Sequence, residues 1–195
     1  MTRSARNTPA ILSLFAAIPA IYGLLALFLG WGLNFDLLVR FERTESALVP
    51  ATALSFVVVS LALIAILSGE HRLGRILCWG LITIVLSVTL AQSLGWDPIT
   101  NLFINDFSGT ERMAPITAIG FLLAVFALNR LMAEKLHQVE AVGIVGTSGF
   151  AFLAVENMLG IMDQRLFSGL SIQTSLLFAT LFLALCFASS DHTPD

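Results

Sequence analysis

Charged positions along the chain cluster and leave long uncharged runs at residues 7–35, 46–69, 76–96, 113–129 and 166–190, with a further run at 141–162 broken only by Glu156. A helix rising about 1.5 Å per residue needs roughly 20 apolar residues to cross a hydrocarbon layer, within a range of about 17 to 25. All six runs are long enough, so the pattern predicts six transmembrane helices. The first follows Arg3 and Arg6 and has the outline of a signal peptide. The internal repeat predicts instead that it is retained.

Residues 30–63 laid over residues 95–128 give nine identities in 34 pairs without a gap, against roughly three or four expected by chance in so apolar a chain. The pairs are Gly30/Gly95, Trp31/Trp96, Leu37/Leu102, Pro50/Pro115, Thr52/Thr117, Ala53/Ala118, Phe56/Phe121, Ala62/Ala127 and Leu63/Leu128. A weaker third copy keeps Gly160 at the same offset from Gly95, and Thr174, Phe178, Ala184 and Leu185 at the spacing of Thr117, Phe121, Ala127 and Leu128. It lacks the Trp and the Pro, and its loop is eight residues shorter.

Each unit therefore reads as an odd helix ending in Gly or Gly-Trp, a loop, and an even helix opening on Pro-x-Thr. Pro suits the first turn of a helix, where its missing N–H is no loss, and Gly suits the positive φ that often closes one. Thr and Phe four residues apart share one helix face. The expected fold is an all-α integral membrane protein in which three helical hairpins, about 8–68, 73–133 and 138–190, form a single membrane domain over 1–195 with their Thr/Phe faces around a pseudo-threefold centre.

Composition sharpens this picture. The chain is 57% hydrophobic and 12% charged, with mean hydropathy +0.89, whereas soluble domains are about a quarter charged. The net charge of -3 sits in loops and tails, which excludes a nucleic-acid surface. Cys78 and Cys186 fall within spans, far apart in sequence, and read as small buried residues.

With the N-terminus in the cytoplasm, the inner segments hold Arg3, Arg6, Arg72, Arg75, Arg130 and Lys135, six of the ten basic residues. The positive-inside bias then predicts that both termini are cytoplasmic. The outer loops, about 32–47, 97–112 and 161–171, are too apolar for free solvent, with Phe35, Leu37, Leu38, Val39, Phe41, Leu102, Phe103, Ile104 and Phe107. They are expected in the interface or folded over the bundle mouth, near Trp31 and Trp96, whose side chains suit the headgroup level.

The sequence contains no nucleotide-binding, metalloprotease, redox or hydrolase motif. His71, His137 and His192 fall in inner loops or the tail, away from any buried haem position. No cofactor, metal site or catalytic residue is expected. Glu156, beside Asn157, is the one acid within a span, a placement that is either functional or paired. It either reaches the outer headgroups, bonds to Gln92, Ser93 or a loop backbone, or lines a ligand pocket. Gln92 and Asn157 occupy equivalent positions under the 65-residue offset, which points to an outward-facing polar pocket. Thr52, Thr117 and Thr174 line that pocket or bond to first-turn backbone groups. The candidate ligand-binding set is thus Glu156, Asn157, Gln92, Thr52, Thr117, Thr174, Trp31 and Trp96; Phe56, Phe121 and Phe178 read as packing residues.

The segments LVPATALSFVVVSLALI and MAPITAIGFLLAVFAL resemble the M-x-P-x-T-A-l-x-F-l-L-l-x-l-A-L helix of multi-helix membrane sensor regions that precede histidine kinase, PAS or GGDEF modules in bacteria. The resemblance covers 30–63 and 95–128, and part of 160–185. It implies a signal-input domain of the bacterial inner membrane, without enzymatic activity of its own. Such a domain would bind a small or lipophilic ligand near the outer face and act on a cytoplasmic kinase or cyclase. That output module is expected in a longer polypeptide or in a partner. Membrane lipids and a second copy of the chain are the other expected partners.

Two further readings remain. Internal repeats also mark transporters and channels, although the P-x-[DE]-x-x-[KR] signature of mitochondrial-type carriers is missing from the odd helices. A structural subunit of a membrane complex is the third.

Overall fold

The computed structural model describes residues 8–40, 46–95, 112–159 and 170–190. Six helices are long and apolar enough to cross a membrane. They are α1 (Thr8–Leu25, continuing as a π-helical turn Ala26–Trp31), α2 (Pro50–Leu67), α3 (His71–Ser93), α4 (Pro115–Met132), α5 (Leu136–Leu159) and α6 (Ile172–Ser190). A single 3₁₀ turn, Asp36–Leu38, interrupts the segment after α1, and no strand occurs among the described residues. The chain is thus an all-helical, multi-pass membrane protein.

Local chemistry sets the helix ends. Pro50 and Pro115 stand in the first turns of α2 and α4, preceded by the extended Val49 and Ala114, as the missing N–H and fixed φ of proline favour. α6 has no such proline and uses a hydroxyl instead: Ser171 Oγ accepts the Thr174 backbone N–H at 3.1 Å, the usual N-cap geometry. Past α3, Gly95 has φ +76, the left-handed conformation expected there. Gly30 behaves otherwise, because α1 widens into its π-turn and the positive φ falls on Asn34. Gly30 is needed for close approach: a Cβ there would stand 2.6 Å from Val39 Cγ1.

The six helices form two layers. Of the apolar stretch in each, 67% is buried in α2 and α6 and 44% in α4, against 39% in α1 and 28% in α3 and α5. The even helices therefore make the inner layer, and each touches the other two. Every odd helix lies against two even ones: α1 on α2 and α6, α3 on α2 and α4, α5 on α4 and α6. The hairpin partners do not pack equally, since α3 rests more extensively on α2 than on α4.

Where the inner helices meet, the rings of Phe56, Phe121 and Phe178 touch pairwise, with centroids 4.9, 4.7 and 4.7 Å apart, and all three side chains are fully buried. Tilted and edge-on pairs at this spacing each add about 0.5–1.5 kcal/mol beyond the burial itself. Phe150 of α5 stacks on Phe178 at 4.4 Å, and Phe182 extends the stack. α5 can come so close because Gly143 and Gly146 leave room: a Cβ on Gly143 would meet Cys186 Sγ at 2.5 Å, and one on Gly146 would enter the Phe182 ring. Small residues bring membrane helices together in this way, since packing drives their association.

The outward face carries large apolar side chains, including Ile76, Trp79, Leu86 and Leu90 on α3 and Val145, Phe152, Val155 and Met158 on α5. In water such a surface would be an aggregation site; in a bilayer it is the lipid contact. Several hydroxyls on α2, α3 and α6 turn back onto their own backbone, as Ser55 does to the Ala51 carbonyl at 2.7 Å, Thr89 to that of Val85 at 2.8 Å and Thr180 to that of Leu176 at 2.9 Å.

Candidate functional site

All three inner helices begin at the same end of the bundle as the long loops, and the residues leading into them are buried: Ala47, Leu48 and Val49 before α2, Met113 and Ala114 before α4, Leu170 and Ser171 before α6. The apolar character of these approaches is what draws them inside. The first loop is tied down at three points. Tyr22 Oη donates to the Leu38 carbonyl at 3.0 Å, the Leu48 N–H to the Val39 carbonyl at 2.7 Å, and Trp31 Nε1 to the Leu48 carbonyl at 2.9 Å. Val39 is buried by this fold-back, while Phe35 and Leu37 stay exposed. The described part of loop one thus buries Val39 and presents an apolar rim at Phe35 and Leu37. Trp96, Gly160 and most of the second and third loops, with Phe41, Leu102, Phe103, Ile104 and Phe107, lie outside the described residues.

Thr52, Thr117 and Thr174 are all buried in the first turns of their helices. Thr174 Oγ1 shares a 2.7 Å hydrogen bond with Ser171 Oγ, so in α6 the threonine is part of the cap. Asn157 Nδ2 donates to the Leu170 carbonyl at 2.8 Å. It fastens the segment entering α6 to the C-terminal end of α5. Glu156 is half-buried beside it.

Gln92 is half-buried at the C-terminal end of α3, and Ser93 Oγ bonds within its own helix to the Leu90 carbonyl at 2.6 Å. α3 lies between α2 and α4, whereas α5 lies between α4 and α6. Gln92 and Asn157, matched by register, thus stand on two outer helices that share α4 as a neighbour.

The most exceptional polar side chain is Gln173, in the first turn of α6. It is 3% exposed, and neither Nε2 nor Oε1 has a hydrogen-bond partner. A buried amide atom left unpaired costs about 1–3 kcal/mol, and more where lipid rather than water surrounds the helix. The uncharged run 166–190 hid it, although Gln173 is the only amide in that run; the rule that singled out Glu156 applies to it equally. Ser60, fully buried in mid-α2, likewise has an unpartnered Oγ.

Among the described residues, no cluster of three metal-ligating side chains occurs. Cys78 and Cys186 are free thiols, the first buried and the second half-buried, and His71 and His137 are exposed at the opposite end of the bundle. What the mouth offers is hydrogen-bonding capacity in an apolar frame: a capped first turn, three buried threonines and one unpaired amide. Compared with protein-family models, with curated proteins and with solved structures, the chain finds no match in any of the three.

Proposed function

We propose that this chain is a membrane-embedded signal-input domain. It binds a small or lipophilic ligand at the end of the bundle where α2, α4 and α6 begin and passes the change to a cytoplasmic kinase or cyclase module, in the same polypeptide or a partner. The observation that carries this reading is the place of the unpaired amide. Gln173 and the Ser171–Thr174 cap form the head of α6, and one turn further the same helix supplies Phe178 to the central ring cluster. α6 then runs to the opposite face at Ser190, so one rigid element joins a polar site to the other side of the membrane.

The three-hairpin repeat fits this scheme. Phe56, Phe121 and Phe178 are its equivalent positions, and their near-equal separations support a pseudo-threefold arrangement. The excess of Arg72, Arg75, Arg130 and Lys135 around the short connections supports a bacterial inner-membrane protein with both termini in the cytoplasm. A continuous pore is disfavoured, because three fully buried phenylalanines fill the centre, and the basic residues of the spans, Arg72, Arg75 and Arg130, all lie within five residues of a helix end. The resemblance to bacterial sensor regions supplies the class of output.

The test joins α6 in frame to a diguanylate cyclase and measures product in nanodiscs as lipids and amphiphiles from the outer leaflet are supplied. Ligand-dependent output, altered by Glu156→Gln without loss of membrane insertion, is the expected result. Output that no addition changes, together with solute uptake in proteoliposomes, would replace the sensor by a transporter.

A further inference from the structure

The unpaired amide has a definite neighbour. Gln173, Leu177, Leu181, Ala184 and Ala188 are buried and follow one another at spacings of three and four along α6, so they form one flank. The opposite flank, with Phe182 and Cys186, takes Gly143 and Gly146 of α5. The Gln173 flank is therefore the one turned to α1, the other outer helix that packs on α6.

Level follows from the ring contact between Phe15 and Phe187, 5.9 Å between centroids. The two helices run in opposite directions, and thirteen residues outward from that contact lie Phe28 on α1 and Thr174 on α6. Gln173 thus stands at the height of the π-turn Ala26–Trp31. Such turns break the regular backbone ladder and recur at functional sites.

We infer that the outer part of the α1–α6 seam binds a single-chain amphiphile by an uncharged head that donates and accepts side by side, as a primary carboxamide or a protonated carboxylic acid does, paired with the Gln173 amide. A side-chain amide presents one acceptor and one donor edge, and both are unused here. Neither α1 from Thr8 to Trp31 nor α6 contains a charged residue, so an ionic head would lack a counter-charge. The lipid side of the two helices at this height is apolar, with Leu25, Phe28 and Leu29 on α1 and Leu176 on α6 exposed, which suits an alkyl tail lying along the bundle. This site deepens the reading of the chain as a sensor of lipophilic ligands and names the ligand chemistry.

The test uses the full chain in nanodiscs and a long-chain primary amide bearing a diazirine in its tail, with the fatty acid and the methyl ester of the same chain as parallel probes. The amide, and the acid at low pH, are expected to label α1 and α6 at least tenfold more than the ester, which cannot donate. Gln173→Leu is expected to bring the amide down to the level of the ester. A readout on the unaltered protein runs beside it: with glutamine labelled in its side-chain nitrogen, of which the chain has four, one resonance is expected to shift on adding the amide and not the ester. Equal labelling by amide and ester, or an unshifted resonance, would show that the Gln173 amide does not select the head and would overturn the inference. Both measurements need no output module, so selective binding without a change in cyclase product would remove the sensor reading and leave this site standing.

Discussion

Trp31 Nε1 donates to the Leu48 carbonyl at 2.9 Å, joining the end of α1 to the segment that enters α2 across seventeen residues of sequence. The indole does this from a half-buried position, as a side chain with an apolar body and one donor does where lipid meets water. Trp31→Phe keeps the ring and removes the donor. The expected loss is about 0.5–1.5 kcal/mol of stability, read as a lower unfolding midpoint in detergent, together with faster proteolysis between residues 40 and 46. An unchanged cleavage rate would show that the Tyr22 and Leu48 bonds hold the loop without it.

Phe178 touches four other rings, those of Phe56, Phe121, Phe150 and Phe182. Phe178→Ala is expected to cost about 3–5 kcal/mol, the range for a large aromatic removed from a closed core. Phe56→Ala, which loses two ring contacts, is expected to cost less. Unfolding midpoints in a fixed detergent order the two; the reverse order would place the centre of the core elsewhere.

The α5–α6 seam makes a sharper comparison within one helix. Gly146→Val pushes a branched side chain into the Phe182 ring, and Gly143→Val meets both Cys186 Sγ and its backbone. Gly149 and Gly80 have open space around a Cβ. Valine at 143 or 146 is expected to lower folded yield severalfold, and alanine at 149 or 80 to leave it unchanged, by fluorescence-detected size exclusion.

Gln173→Leu replaces an unpaired amide by an apolar side chain of similar size. In ligand-free detergent it is expected to raise stability by about 1–3 kcal/mol, the cost of burying unpaired polar atoms. A loss of stability would mean that the amide is paired in the purified protein.

Leu37, exposed after α1, and Lys135, exposed between α4 and α5, stand at opposite ends of the bundle. With Cys78 and Cys186 changed to alanine, Leu37→Cys is expected to react with a membrane-impermeant maleimide on intact cells and Lys135→Cys only after permeabilisation. The converse pattern would reverse the proposed orientation.

Much of the scaffold was legible in the residues because lipid imposes one strict condition, a long run without charge. Helices α2 to α6 fall on the runs read from charge to charge, and Pro50 and Pro115 stand in the first turns where proline is tolerated. The convergence of Phe56, Phe121 and Phe178 was legible from their common offset from a threonine. The polar end was harder. Equivalent positions in successive units meet where they face a common centre, as the phenylalanines do, whereas Gln92 and Asn157 are on helices of the outer layer. The spacing of glycines could not foretell that α1 would close through a π-turn with Gly30 pressed against Val39, because that contact depends on how the loop folds back. An amide carries no charge, so spacing of charges does not mark Gln173, although its burial makes the same demand for a partner.

The shared height of Phe56, Phe121 and Phe178 has a mechanical consequence. Rings less than 5 Å apart between centroids leave no clearance for one of them to swing alone, so the three inner helices mesh as cogs do. Three cogs meshed pairwise lock one another, so a twist of α6 about its own axis is opposed at both contacts and a displacement of α6 is carried as a joint shift or tilt of the three helices.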